Sequence, residues 1–235
     1  MEYSTEESHL VLHNVSFDIE AGQKVAICGR TGSGKSSLLL TLFRLLELRS
    51  GAITIDALST STMPRETLRS HLNIIPQDPV IFPGSVRLNA IPSLLNLPSS
   101  ADASIIAALT TVTLWTLISS RGGLDADMST IPLSQGQKQL FCLARAILRR
   151  ENSPILVLDE ATSNVDHHTD ELMQKIIREE WKGKTIIAVV HKLNTVMDFD
   201  RIAVLERGEL VEFDEPAALR EREGGVFKSL WESQR

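Results

Sequence analysis

Gly29-Arg30-Thr31-Gly32-Ser33-Gly34-Lys35-Ser36 fits G-x-x-x-x-G-K-[ST], and no other stretch constrains this chain so tightly. A short apolar run, Val25-Ala26-Ile27-Cys28, leads into it, and a leucine-rich run follows from Ser37. The glycines let the backbone curl until successive N–H groups point into one concave nest. A helix starting near Lys35 adds its positive dipole end. Lys35 can reach the β- and γ-phosphates of a nucleotide as a point charge, and Ser36 offers a hydroxyl to Mg²⁺. The stretch from Gly29 to Ser37 is therefore expected to hold phosphate.

The remaining apolar runs set the architecture around that loop. His9 to Ile19 alternates loosely and predicts a strand. Ser37 to Leu48 is helical in pattern and apolar almost all round, which predicts a helix enclosed by its neighbours. Short strands are expected over Ala52–Ile55 and Asn73–Ile75, with a surface helix over Pro64–Leu72 between them. From about Ser99 to Arg121, Ile105, Ile106, Leu109, Val112 and Leu117 recur at helical spacing. Gly122 to Ile131 reads as loop, and a further helix spans Leu133–Arg150. Ile155–Leu158 and Thr185–Val190 are unbroken apolar runs, as in a parallel sheet covered on both faces. A helix over Asp166–Trp181 separates them, a hairpin joins Ile202–Leu205 to Leu210–Phe213, and two helices close the chain. The sum is α/β with an inserted helical piece.

Composition narrows the function. No stretch offers about 18 uninterrupted apolar residues, so direct insertion of this segment in a membrane is not expected. The N-terminus lacks the layout of a signal peptide. A net charge of −6 argues against non-specific nucleic-acid binding. Cys28 and Cys142 lie inside apolar runs and read as buried thiols.

Asp159 and Glu160 end the run Ile155–Leu158. In a parallel sheet, ligands sit at the carboxyl ends of strands, which puts both acids beside the phosphate loop. Asp159 suits Mg²⁺ or its water, and Glu160 suits the polarisation or deprotonation of an attacking water. Leu133-Ser134-Gln135-Gly136-Gln137 opens a helix. Ser134 and Gln137 have capping-box spacing, so an ordinary helix start is one reading. Receipt of a phosphate by Ser134 and the backbone around Gly136 is the other.

Together these segments resemble the nucleotide-binding domain of an ATP-binding cassette (ABC) transporter. Gly29–Ser36 resembles Walker A, Ile155–Glu160 resembles Walker B with its catalytic glutamate, and Leu133–Gln137 resembles the signature LSGGQ. Gln77 resembles the Q-loop glutamine, which contacts Mg²⁺ and faces the membrane domains. Ser163–Asp166 resembles the D-loop, and His191 the switch histidine at the γ-phosphate. Tyr3 falls about where the family's adenine-stacking aromatic does. The resemblance implies one ABC ATPase domain over 1–235 with a P-loop NTPase fold and a mostly parallel sheet. It implies a RecA-like core over about 1–80 and 151–235, an antiparallel β subdomain, and a helical subdomain over about 81–150. Its cofactors would be ATP and Mg²⁺. The catalytic set would be Glu160, His191 and Gln77, with Ser36, Gln77 and Asp159 at the metal. Tyr3, Gly29–Ser37, Ser134, Gly136 and Gln137 would bind nucleotide.

Two departures matter. Gln135 stands where the family pattern has glycine, and Lys192 where arginine is common. An intact Glu160 with an altered signature resembles the second nucleotide-binding domain of C-type (multidrug-resistance-associated) transporters, especially fungal ones. That implies a non-identical partner domain in the same polypeptide, transmembrane domains, and a place on the cytoplasmic face of a membrane. The rivals are a soluble cassette ATPase and a nucleotide-holding regulatory module, which Gln135 keeps open.

Overall fold

A computed structural model describes residues 11–92 and 101–234. The chain runs β1 (Lys24–Cys28), α1 (Lys35–Leu42), β2 (Thr54–Ile55), β3 (Leu58–Ser59), α2 (Arg65–His71), β4 (Leu72–Ile75) and α3 (Val86–Ala90). It continues through α4 (Ala101–Thr111), α5 (Trp115–Ser119), α6 (Gln135–Arg149), β5 (Ile155–Asp159), α7 (His167–Glu180) and β6 (Thr185–Val189). β7 (Arg201–Glu206), β8 (Glu209–Asp214), α8 (Pro216–Glu221) and α9 (Val226–Ser233) complete it. Two compact units form, Met1–Leu68 with Ile187–Arg235, and Arg69–Ile186.

In the first unit the strands lie in the order β6–β1–β7–β8. β1 and β7 pair in parallel from Val25↔Arg201 to Cys28↔Val204, and both are buried along their interiors. That is the physical meaning of their unbroken apolar runs. β8 returns antiparallel through Arg207 and Gly208, which both take positive φ, as a two-residue hairpin requires. Ala26, Cys28, Ile202 and Val204 form a core with Leu193, Val196, Leu219 and Phe227. The buried Glu212 carboxylate accepts the Phe227 N–H (2.8 Å), which satisfies one of the open donors at the start of α9.

Two expectations change here. The helix expected over Ser37–Leu48 begins at Lys35 and stops at Leu42. Arg44 turns left-handed (φ 48), and Leu45 N–H donates back to Leu40 C=O. The Arg44 guanidinium donates to Thr60 C=O (2.9 Å) and Met63 C=O (2.7 Å), so long-range bonds end the helix. Nor is the leucine run enclosed, since Leu40, Leu45, Leu46 and Leu48 are exposed. In the stretch expected as a strand over His9–Ile19, Leu12, Val15, Phe17 and Ile19 are half-buried in the expected alternation. No strand forms in its described part, because Asn14 turns left-handed (φ 49).

In the second unit β4 and β5 pair in parallel from Leu72↔Ile155 to Ile75↔Leu158. α6 packs on β4, α3, α4 and α7, and the Asn73 side-chain amide donates to Ala146 C=O (2.7 Å). This packing places α6 in one compact unit with β4 and β5. The expected helical stretch from about Ser99 is α4 and α5, broken where Thr113 takes φ 61. The expected loop over Gly122–Ile131 contains two short 3-10 turns. α3 was not legible in the sequence pattern; Ser85 caps it by accepting the Leu88 N–H. Among the described residues, no helix is long and apolar enough to cross a membrane.

Candidate nucleotide-binding site

β1 delivers the chain, fully buried, to Gly29. A Cβ on Gly29 would stand 2.1 Å from Leu205 C=O, so only glycine lets the loop lie this close to β7. Lys35 is 5% exposed, and its ammonium donates to Gly29 C=O (2.9 Å) and Arg30 C=O (3.1 Å). The charge is thereby held against the loop backbone. α1 starts at Gly34 without a side-chain cap and without an acid in its first turn. Its positive end is thus free of competing anions from its own sequence. Ser33 Oγ is buried in the same loop with no hydrogen-bond partner. An uncapped helix start, a resident ammonium and an orphaned hydroxyl fit a phosphate group. Arg30, Thr31, Gly32 and Ser36 are exposed around it, and Ser37 is half-buried.

Cys28, which ends β1, is a free thiol that burial pushes up to about 12, against a smaller opposing pull from Lys35. It is inert packing rather than chemistry. At the end of β6, Val190 N–H donates to Ile27 C=O (3.1 Å), which sets His191 in the same unit as the phosphate loop. His191 is exposed. Its carbonyl accepts the Gln234 side-chain amide (2.7 Å), while Gln234 Oε1 accepts Leu193 N–H (3.0 Å). Gln234 clamps the backbone on both sides of Lys192, a role no local motif signals.

The second unit carries Gln77, Ser134, Gly136, Gln137, Asp159 and Glu160. Asp159 ends β5 and Glu160 follows with φ 47, a left-handed conformation uncommon for a non-glycine residue. Both are half-buried. Ser163 N–H donates to Glu160 C=O (3.0 Å) and closes the turn. Gln77 is exposed, directly after Pro76. The side-chain amide of Gln139 donates to Pro76 C=O (2.6 Å) and Ala161 C=O (2.7 Å), so one buried side chain brings the Gln77 and Glu160 segments together.

Beyond Gln77, the buried Asn89 exchanges hydrogen bonds with Phe82, 2.8 and 2.9 Å. Arg145 lies between the Phe82 and Phe141 rings, 5.5 and 5.2 Å from their centroids. It donates to Val80 C=O, Asn89 C=O and Asn89 Oδ1. Gln139, Asn89 and Arg145 were missed by motif reading. The available signal was a polar Gln139 on the inward stripe of α6, among Gly136, Leu143 and Ala146.

The capping box at the start of α6 is present. Ser134 Oγ accepts Gln137 N–H (3.2 Å), and Gln137 Oε1 accepts Ser134 N–H (2.9 Å). Ser134 and Gln135 are exposed, whereas Gly136 is buried against Thr169, which would stand 3.1 Å from an added Cβ. Asp166 accepts Thr169 N–H (3.0 Å) and caps α7; those bonds hold its carboxyl below the usual carboxylate range. His167 and His168 are exposed. Tyr3 lies outside the described residues. No group of three or more His, Cys, Asp or Glu side chains that could hold a metal occurs among the described residues. Mg²⁺ needs no such cage, because it takes one or two protein oxygens with substrate phosphates and water.

The family model described as ABC transporter matches residues 12–163. ABC multidrug transporter B of Aspergillus fumigatus is 50% identical over 226 residues, covering 96% of this chain and 15% of that protein. ABC transporter C family member 5 of Dictyostelium discoideum is 46% identical over 224 residues, covering 94% and 15%. The chain thus spans about one seventh of the length of these curated relatives. The solved structure of a bacterial Atm1-family ABC exporter with ATP bound superposes with a TM-score of 0.87 at 31% identity, covering 98% of this chain and 40% of that one. The family fold carries an α/β architecture, a mostly parallel mixed sheet and a small antiparallel pair, and all are present here. On this sequence and structure, the chain belongs to the ABC transporter family, as its nucleotide-binding domain.

Proposed function

We propose that this domain binds and hydrolyses ATP to power export of a substrate across a membrane. The observation that carries the reading is the phosphate loop, where an uncapped α1, the folded-back Lys35 and the orphaned Ser33 hydroxyl converge. ATP phosphates would lie on the loop N–H groups of Gly29–Ser37, with Lys35 transferring its bonds from loop carbonyls to phosphate oxygens. Ser36, Gln77 and Asp159 would hold Mg²⁺, which supplies charge neutralisation at the phosphates. Glu160 orients the attacking water and accepts its proton. The water oxygen bonds to the γ-phosphorus, the bond to the β–γ bridging oxygen breaks, and ADP and phosphate leave. His191 contacts the γ-phosphate, and Tyr3 stacks on the adenine.

A second, non-identical nucleotide-binding domain of the same polypeptide would close head-to-tail on this one over two ATP molecules. Ser134, Gly136 and Gln137 would serve the partner's site, and transmembrane domains would take up the closure near Gln77. The domain would then work on the cytoplasmic face of the membrane. The likeness to ABC multidrug transporter B of Aspergillus fumigatus supports an export role. Gln135, exposed on the first turn of α6, supports unequal sites of the C type.

The test is light scattering on the Glu160→Gln protein with and without Mg-ATP, with bound nucleotide quantified and hydrolysis measured against wild type. Bound ATP without hydrolysis is the expected result. A dimer of the variant would favour self-complementary sites, and a monomer holding ATP would favour a different natural partner. Folded protein that binds no ATP would refute the reading.

A further inference from the structure

We infer that Gln139 is a positioning residue that ties the Gln77 segment to the Glu160 segment, so that the two move together. The inference rests on the proposal that Gln77 and Glu160 serve hydrolysis. Gln139 is 1% exposed, in the middle of the inward stripe of α6. Both protons of its side-chain amide are used, one on the carbonyl of the Pro76–Gln77 peptide (2.6 Å) and one on Ala161 C=O (2.7 Å). The carboxamide is planar and its two N–H bonds diverge at a fixed angle, so it sets the separation of those two carbonyls. One belongs to the residue before Gln77, and the other to the residue after Glu160.

The arrangement is not one that stability alone would select. Gln139 Oε1 is buried with no hydrogen-bond partner, an uncompensated acceptor. Glu160 is meanwhile held at φ 47, a conformation that persists only where surrounding bonds enforce it. The bond at Ala161 is one such constraint. Because Gln139 lies on the same helix as Ser134, displacement of the start of α6 reaches both segments through one side chain.

The test uses the full chain as wild type, Gln139→Met, Gln139→Asn and Asn73→Leu. Met keeps the length and loses both donors. Asn keeps the amide on a shorter stem that cannot span both carbonyls. Asn73→Leu removes a comparably buried amide bond between β4 and α6 and touches neither segment. Amide hydrogen exchange should accelerate by about tenfold at 77–78 and at 160–163 together in both Gln139 variants, and at neither in Asn73→Leu. Turnover should fall about ten- to a hundredfold in kcat with KM for ATP unchanged, as expected when a catalytic group is misplaced but the phosphate loop is intact. Exchange that stays at the wild-type rate, or loosens in one segment only, overturns the tie. Loosened segments with wild-type kcat overturn its positioning role. A wild-type chain that hydrolyses no ATP counts against the proposed function instead, and the exchange rates still decide the tie. If Gln139→Met does not fold, Gln139→Asn carries the same comparison.

Discussion

Replacing Gly29 and Gly32 by alanine, one at a time, separates two costs that glycine avoids in the phosphate loop. Both residues have positive φ, +151 and +82. Each alanine therefore carries backbone strain of about 1–3 kcal/mol. Only at Gly29 is the space also taken: the new Cβ would lie 2.1 Å from Leu205 C=O and 2.7 Å from Ser33 Oγ, whereas at Gly32 nothing lies within 4 Å. The Leu205 oxygen is backbone in the buried β7 and cannot rotate away, so the loop must shift. Overpacking of this kind adds about 1–3 kcal/mol. Gly29→Ala should thus be less stable than Gly32→Ala by about 2 kcal/mol, a large share of the ~5–15 kcal/mol that holds a domain folded. Urea unfolding followed by tryptophan fluorescence reads it directly. At an m-value of about 2 kcal/mol/M, the two midpoints should differ by about 1 M. Because Gly29 C=O is an acceptor for Lys35, the same shift should weaken ATP binding in Gly29→Ala. Equal midpoints, or a less stable Gly32→Ala, would refute the packing argument.

Lys35→Ala removes the charge facing the phosphates. ATP affinity by titration calorimetry should fall by about ten- to a hundredfold, the range of one charge-assisted hydrogen bond; unchanged affinity would remove Lys35 from the site. Cys28 and Cys142 are both raised by burial, Cys28 from 9.0 to about 12. In the folded state the Cys28 thiol keeps its proton at pH values where the unfolded chain has lost it. Its effect on stability is therefore absent below about pH 9 and turns destabilising as pH rises from there toward 12. Iodoacetamide at pH 8 should accordingly label neither cysteine in the native protein and both in denaturant. Rapid native labelling would contradict the burial.

Much of the candidate site is legible in the sequence because its motifs are local. The turn chemistry of Gly29–Lys35, the capping spacing of Ser134 and Gln137, and the acids closing a strand at Asp159 and Glu160 all lie within a few neighbouring positions. The unbroken apolar runs likewise fixed where buried strands form, because a strand covered on both faces has no polar side to alternate with. Periodicity failed at α1, where the leucines continue but the helix does not: Arg44 leaves it to bond Thr60 and Met63. It failed at His9–Ile19, where one left-handed asparagine breaks the extension.

By itself, then, the sequence determined the family's motifs and their order along the chain: phosphate loop, glutamine, signature helix, paired acids, histidine. Only the tertiary structure decided how those parts are held. Gln139 spans 63 positions to Pro76 and 22 to Ala161, and Gln234 reaches 43 back to His191. Bonds of that reach leave no trace in local spacing, because they exist only once folding has brought distant backbone carbonyls within the length of one side chain.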